Sequence, residues 1–167
     1  YVKDQTGAQE PTSIPERKPS SARKVFVVHG HDEAAKEGMA RFLEKIGFEA
    51  IILHEQASGN RTVIEKIEVH SDVGFAVVLL TPDDIGGAAS AESQPRARQN
   101  VILELGYFVG LLGRSRVAVF RKGEVEVPSD FGGVVYVDLD GGGAWKQTLG
   151  KELEEAGFQI DWNQIMR

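Results

Sequence analysis

The 167-residue chain contains no cysteine. This excludes a disulfide framework and a thiol nucleophile, and it agrees with a reducing compartment, so cytoplasm is the expected location. No apolar run approaches the ~20 residues that a membrane-spanning helix needs, and the GxGxxG dinucleotide fingerprint is missing. Only four histidines are present. Two of them, His29 and His31, are close in sequence but have no third and fourth ligand at suitable spacing, so no metal is expected. Positive charge is also scarce: the formal net charge is -6, and no basic cluster falls on any expected face. Nucleic acid and anionic membranes are therefore poor partners, whereas small molecules and proteins remain open. The first 21 residues have no signal-peptide apolar core.

With 41% hydrophobic and 26% charged residues, the chain has the composition of one globular domain with a sizeable core. The stretch YVKDQTGAQEPTSIPERKPSS holds three of the six prolines and almost no aliphatic residue. That is linker composition. Residues 1–22 are accordingly expected to join an upstream domain to a folded unit over 23–167. Strand and helix signals then alternate. Val25 to Val28 is a β-branched and aromatic run, followed by Asp32 and Glu33 at a helix start and by Met39, Phe42, Leu43 and Ile46 at helical spacing. Gly47 ends this helix. Ala50 to Leu53 reads as a second strand, and Thr62 with Glu65 forms a capping box for a helix carrying Val63, Ile64 and Ile67. The continuous apolar run Phe75 to Leu80 is expected to be central, because only a strand covered on both faces is apolar throughout. Further strands are expected at Val117 to Phe120 and Val134 to Leu139, before a last helix with Trp145, Leu149 and Leu153 every four residues. Five strands joined by helices predict a parallel sheet in the flavodoxin-like order 2-1-3-4-5, with helices on both faces.

One residue conflicts with its surroundings. The segment VILELGYFVGLL, Val101 to Leu112, has Glu104 as its single charged residue. A buried carboxylate is costly unless it is paired or its pKa moves, so a lone acid on a core helix is a site candidate. In sheets of this order ligands bind beyond the carboxyl ends of the strands, at the switch between strands one and three. Gly30, His31 and Asp32 follow strand one, Thr81, Asp83 and Asp84 follow strand three, and Glu104 is placed about one turn inside the next helix. Gly30 would allow close approach of backbone to ligand. Asn100, four residues before Glu104 on the same helical face, either meets a ligand, holds the Glu104 carboxylate or caps the helix. Arg96 and Arg98 flank the cleft and either meet an anionic ligand or are solvated. Thr81 to Asp84 also has ordinary turn chemistry, and Gly141 to Gly143 reads as a connection. The stretch Pro82 to Gln99, with Gly86 and Gly87, is long for a compact domain and reads as a lid. For Glu104 itself the plain alternative is a carboxylate stabilising the first helical turn, or paired with Arg96 or Arg98.

HGHDE after strand one, LLTPDD after strand three and RARQNVILELGYFVGLLGR, with its N-V-x-x-E-L-G core, resemble the bacterial TIR-like domains of cyclic-nucleotide-activated antiphage effectors. The resemblance covers Lys24 to Asp140. It implies a flavodoxin-like fold and cleavage of NAD+ to nicotinamide and ADP-ribose, linear or cyclised, with NAD+ as substrate and no cofactor. The glutamate on the third helix, here Glu104, would be catalytic, with Gly30, His31, Asp32, Thr81, Asp83, Arg98 and Asn100 as substrate-binding candidates. It further implies self-association through the loop Glu55 to Arg61 and activation by an upstream sensor that binds a cyclic nucleotide. HGHDE departs from the serine-rich or phenylalanine-containing start of many TIR domains, and no residue stands out to stack on adenine.

The chemistry makes one carboxylate sufficient. Most glycosidases use two, but the nicotinamide of NAD+ leaves as a neutral base and needs no general acid. Two other functions fit the same residues: a non-catalytic TIR interaction module, and a nucleoside deoxyribosyltransferase-like N-glycosidase. A phospho-receiver domain is excluded, because it needs an aspartate where Leu80-Thr81 stands and a lysine where Asp138-Leu139-Asp140 stands.

Overall fold

The computed structural model describes residues 20–52, 62–70, 72–129 and 131–167. Five strands, β1 (Lys24–Val28), β2 (Glu49–Ile52), β3 (Phe75–Leu80), β6 (Val117–Arg121) and β7 (Val135–Asp138), form one sheet in the order β2-β1-β3-β6-β7. Every pairing in it is parallel. This is the expected 2-1-3-4-5 order. Phe75–Leu80 occupies the centre with all six residues buried, as its unbroken apolar run requires.

Alternation along each strand divides the interior into two cores. Val25, Val27, Phe75, Val77 and Leu79 face α1 (Glu33–Lys45), α4 (Ala144–Glu155) and the short α5 (Trp162–Met166). Phe26, Val28, Ala76, Val78 and Leu80 face α2 (Val63–Val69) and α3 (Gln99–Leu112). The capping box at Thr62 and Glu65 forms as read from the sequence, and Gly47, at φ +84°, ends α1. At the amino ends of the strands Arg116 donates to the carbonyls of Gly74 and Ala156. Arg23 donates to Ile46, Gly47 and Gln159.

Several boundaries differ from expectation. β2 starts one residue early, at Glu49, and β7 is one residue shorter at each end; Leu53 lies outside the described residues. The Glu104 helix starts at Gln99, because the polar Gln99 and Asn100 already carry helical backbone. The stretch Pro82 to Gln99, read from sequence as a lid, contains an antiparallel hairpin of β4 (Asp84–Gly86) and β5 (Gln94–Arg96). Its end is joined to the body of the domain by a bridge between Arg96 and Glu126. The helix α5 was not anticipated; Asp161 caps it by accepting from the Asn163 amide. No helix among the described residues is long and apolar enough to cross a membrane.

Candidate functional site

Val101, Leu105 and Phe108 anchor α3 to the sheet at spacings of four and three, and each is buried. Phe108 packs on Phe26 of β1, with ring centroids 4.8 Å apart. Burial of this seam fixes the rotation of the helix. Glu104, next to Leu105, is thereby turned toward α2 and is only 2% exposed. Glu104 lines a cavity of about 90 Å3 with Ile64 and Ile67 of α2 and Asn100, Leu103 and Tyr107 of α3.

Neither carboxylate oxygen of Glu104 has a hydrogen-bond partner among the described residues. Burial pushes its pKa up to about 7, against a smaller opposing pull from the positive charge of Arg98. Both parts of the plain alternative are therefore corrected. Glu104 is the sixth residue of α3 and not in its first turn, and no ion pair joins it to Arg96 or Arg98 among the described residues. A desolvated carboxylate in an apolar pocket, poised between its two charge states near neutrality, is suited to meeting a cation or accepting a proton.

Asn100 faces the same cavity, one turn before Glu104. It is not the helix cap: Arg98 holds that position and provides no side-chain cap hydrogen bond. Arg98, Asn100 and Asp84 line a neighbouring polar cavity with Arg96.

The other candidates gather elsewhere, where β1 and β3 end. Oδ2 of Asp83 accepts from the Thr81 hydroxyl at 2.7 Å and from the His31 amide at 3.1 Å. Asp83 also donates its own amide to the Thr81 carbonyl, so the turn reading of this segment is the one the structure bears out. A Cβ at Gly30 would lie 1.7 Å from Oδ2 of Asp83. The close approach seen there is thus to Asp83 of the same chain. Asp32 caps α1 through the Ala35 amide and pairs with Lys122 at 2.5 Å; both contacts hold its pKa below the usual carboxylate value, that from Lys122 most. None of Gly30, His31, Asp32, Thr81 or Asp83 lines the Glu104 cavity. The reason is rotational: the seam that seats α3 on the sheet points Glu104 at α2, away from these loops. The loop Glu55 to Arg61 lies outside the described residues.

Asp83 is expected to act as a clip between two loops. Asp83→Ala would leave the Thr81 hydroxyl and the His31 amide without their acceptor, at a cost of about 1–3 kcal/mol. Urea unfolding measures this, and an unchanged midpoint would show that the clip contributes nothing.

Residues 24–141 match the family model of the TIR domain of CAP12/Pycsar effector proteins. The chain belongs to that family. It is 56% identical over 142 residues to the uncharacterized protein YuaY of Escherichia coli K12, covering 84% of this chain and 48% of YuaY. Protein tirC of Dictyostelium discoideum is 33% identical over 127 residues, covering 69% of this chain and 63% of tirC. The Pycsar effector protein BcPycTIR of Burkholderia cepacia is 43% identical over 65 residues, 38% of this chain and 21% of that protein. The chain spans less than two thirds of each of these relatives. The match takes in α3 with Glu104 and the whole parallel sheet, so this TIR domain includes both parts of the proposed site.

Proposed function

We propose that this TIR domain cleaves the N-glycosidic bond of NAD+, with Glu104 as the catalytic residue. The observation that carries the reading is the Glu104 carboxylate, 2% exposed and without a hydrogen-bond partner among the described residues, on the wall of a cavity. Such a group has a large unmet demand for positive charge. The nicotinamide ring of NAD+ supplies it in the ground state, and the ribose supplies it as the bond breaks.

In the reaction the bond between C1′ of the ribose and the ring nitrogen breaks heterolytically. Both electrons go to the nitrogen, so nicotinamide departs neutral and needs no acid. The positive charge moves to C1′ and O4′ of the ribose, where an ionised Glu104 stabilises it. Water then adds at C1′ and gives up one proton, for which the same carboxylate is an acceptor. Asn100 binds a ribose hydroxyl or holds the carboxylate in place, and Arg98 meets a phosphate. The small apolar rim of Ile64, Leu103 and Tyr107 keeps bulk water off the carboxylate and raises the value of each charge interaction inside.

The name Pycsar effector borne by BcPycTIR supports an effector of nucleotide-signalled antiphage defence, switched on when TIR domains assemble after an upstream domain binds its signal. The loop Glu55 to Arg61 is the proposed assembly contact. The test is release of nicotinamide from NAD+ by the full-length protein, with and without cyclic nucleotides, followed by chromatography. Stoichiometric nicotinamide and ADP-ribose, linear or cyclic, are expected. Intact NAD+ in the presence of assembled protein would instead mark a non-catalytic interaction module, and release of base from deoxynucleosides would mark a deoxyribosyltransferase-like enzyme.

A further inference from the structure

The Glu104 cavity, at about 90 Å3, is well below the ~300–1,000 Å3 of whole small-molecule sites. It has room for one part of a ligand, so a dinucleotide must continue elsewhere. Asn100 is shared with a second cavity, of about 370 Å3, at the start of α3, lined also by Asp84, Ile85, Arg96, Arg98 and Gln99. Two guanidinium groups there face one carboxylate, and the first-turn amides of α3 have no side-chain acceptor from the Arg98 cap. Arg96 in turn borders a third cavity, of about 300 Å3, with Ala97, Gln99, Ile102, Glu126 and Pro128.

Arg96 is held in an unusual way. Its guanidinium lies across Gly86 of the facing strand, and a Cβ on Gly86 would fall 2.1 Å from Cζ and 2.4 Å from Nε. A side chain at that position would have to displace the guanidinium. Nε is buried and has no hydrogen-bond partner among the described residues, nor does any ion pair among them include Arg96. A cation seated in the fold with an unmet donor is prepared for an anion.

Along this path the order is a carboxylate in an apolar pocket, an asparagine, two arginines at a helix start, and a largely apolar cavity. A nicotinamide ribose, its hydroxyls, a diphosphate and a second base follow one another in the same order. We propose that Arg96, seated on Gly86, and Arg98 form the subsite for the diphosphate of the substrate, with the cavity beside Ile102 and Pro128 receiving the adenine end. The assignment rests on the NAD+ reading above and names the residues that hold the unreactive half of that substrate. Gly86 is a positioning residue, acting through Arg96.

The test is calorimetric binding of ADP-ribose and of inorganic pyrophosphate, neither of which contains nicotinamide, to the full chain. The wild type is expected to bind ADP-ribose, with affinity falling at higher salt. Arg96→Gln and Gly86→Ala should each weaken binding about tenfold or more, the loss expected for one charge-assisted contact, and Arg96→Lys should recover part of it. Gly110→Ala should bind as the wild type does, since a Cβ at Gly110 would meet nothing within 4 Å. Where NAD+ is cleaved, KM should rise in Arg96→Gln with kcat little changed. Equal affinity for ADP-ribose in the wild type and a folded Arg96→Gln protein overturns the subsite. ADP-ribose binding that depends on Arg96, in a protein that never cleaves NAD+, leaves the subsite standing and removes the catalytic reading. Melting curves show which variants are folded, and the Arg96 pair decides the matter if Gly86→Ala is not.

Discussion

Glu104→Gln is expected to fold normally and to cleave NAD+ about 10²–10³-fold more slowly than the wild type, the usual loss when one preorganised charge interaction is removed from a transition state. Glutamine keeps the shape and gives up the charge. The pH profile separates this role from a packing role. The ionised form is the active one, so kcat/KM should rise with pH and level off above about 7, where burial places the pKa of the free protein. In the complex the positively charged nicotinamide ring lies against the carboxylate and favours its ionised form. The inflection in kcat should therefore sit at lower pH than that in kcat/KM. A folded Glu104→Gln protein with wild-type kcat would end the assignment, and coincident inflections would show that the carboxylate does not meet the cationic ring.

The same substitution should make the protein more stable under alkaline conditions. The pKa of Glu104 is raised from 4.5 to about 7 by burial. Between those values the folded protein holds a proton that the unfolded chain has released, so stability falls as pH rises through that window. The distance of about 2.5 pH units, at ~1.4 kcal/mol each, amounts to about 3 kcal/mol, present in full above about pH 7 and absent below about pH 4.5. Glutamine never ionises. Urea unfolding at about pH 8 should therefore show the variant ahead by up to ~3 kcal/mol, and at about pH 4 the two proteins should coincide. A constant difference across pH would indicate packing instead of ionisation. A gain in stability joined to a loss of activity is the signature of a strained functional group.

The sheet was legible because its information is local. Val25 to Val28 and Phe75 to Leu80 carry their faces in their own alternation or lack of it, and the Thr62 and Glu65 pair announces a helix end within four residues. Glu104 was legible for the same reason, as one charge in an apolar run. What escaped was whatever depends on pairing between distant or weakly formed elements. The hairpin has strands of three residues containing Gly86 and Pro95, both poor strand formers. Without that hairpin the seating of Arg96 on Gly86 has no signal, although Gly86 itself stood out. Gly30 was legible as a place of close approach, but its contact with Asp83, 53 positions away in sequence, was not. The expected single crevice separated into a clipped loop pair and a pocket between α2 and α3, because the rotation of a helix on a sheet is set by the whole seam of Val101, Leu105 and Phe108.

Both ends of the sheet are fastened by side chains. At the amino ends Arg23 and Arg116 donate to peptide carbonyls, and Lys24 pairs with Asp72. At the carboxyl ends the ties pass through carboxylates: Asp83 to Thr81 and His31, and Asp32 to Lys122. Guanidinium groups keep their charge across the range in which proteins fold and carbonyls have none to lose, whereas Asp32 and Asp72, held below the usual carboxylate value chiefly by Lys122 and Lys24, lose theirs in strong acid. Acid therefore undoes clasps at both ends of the sheet, and what it leaves laced are the two arginines that hold carbonyls, Arg23 and Arg116.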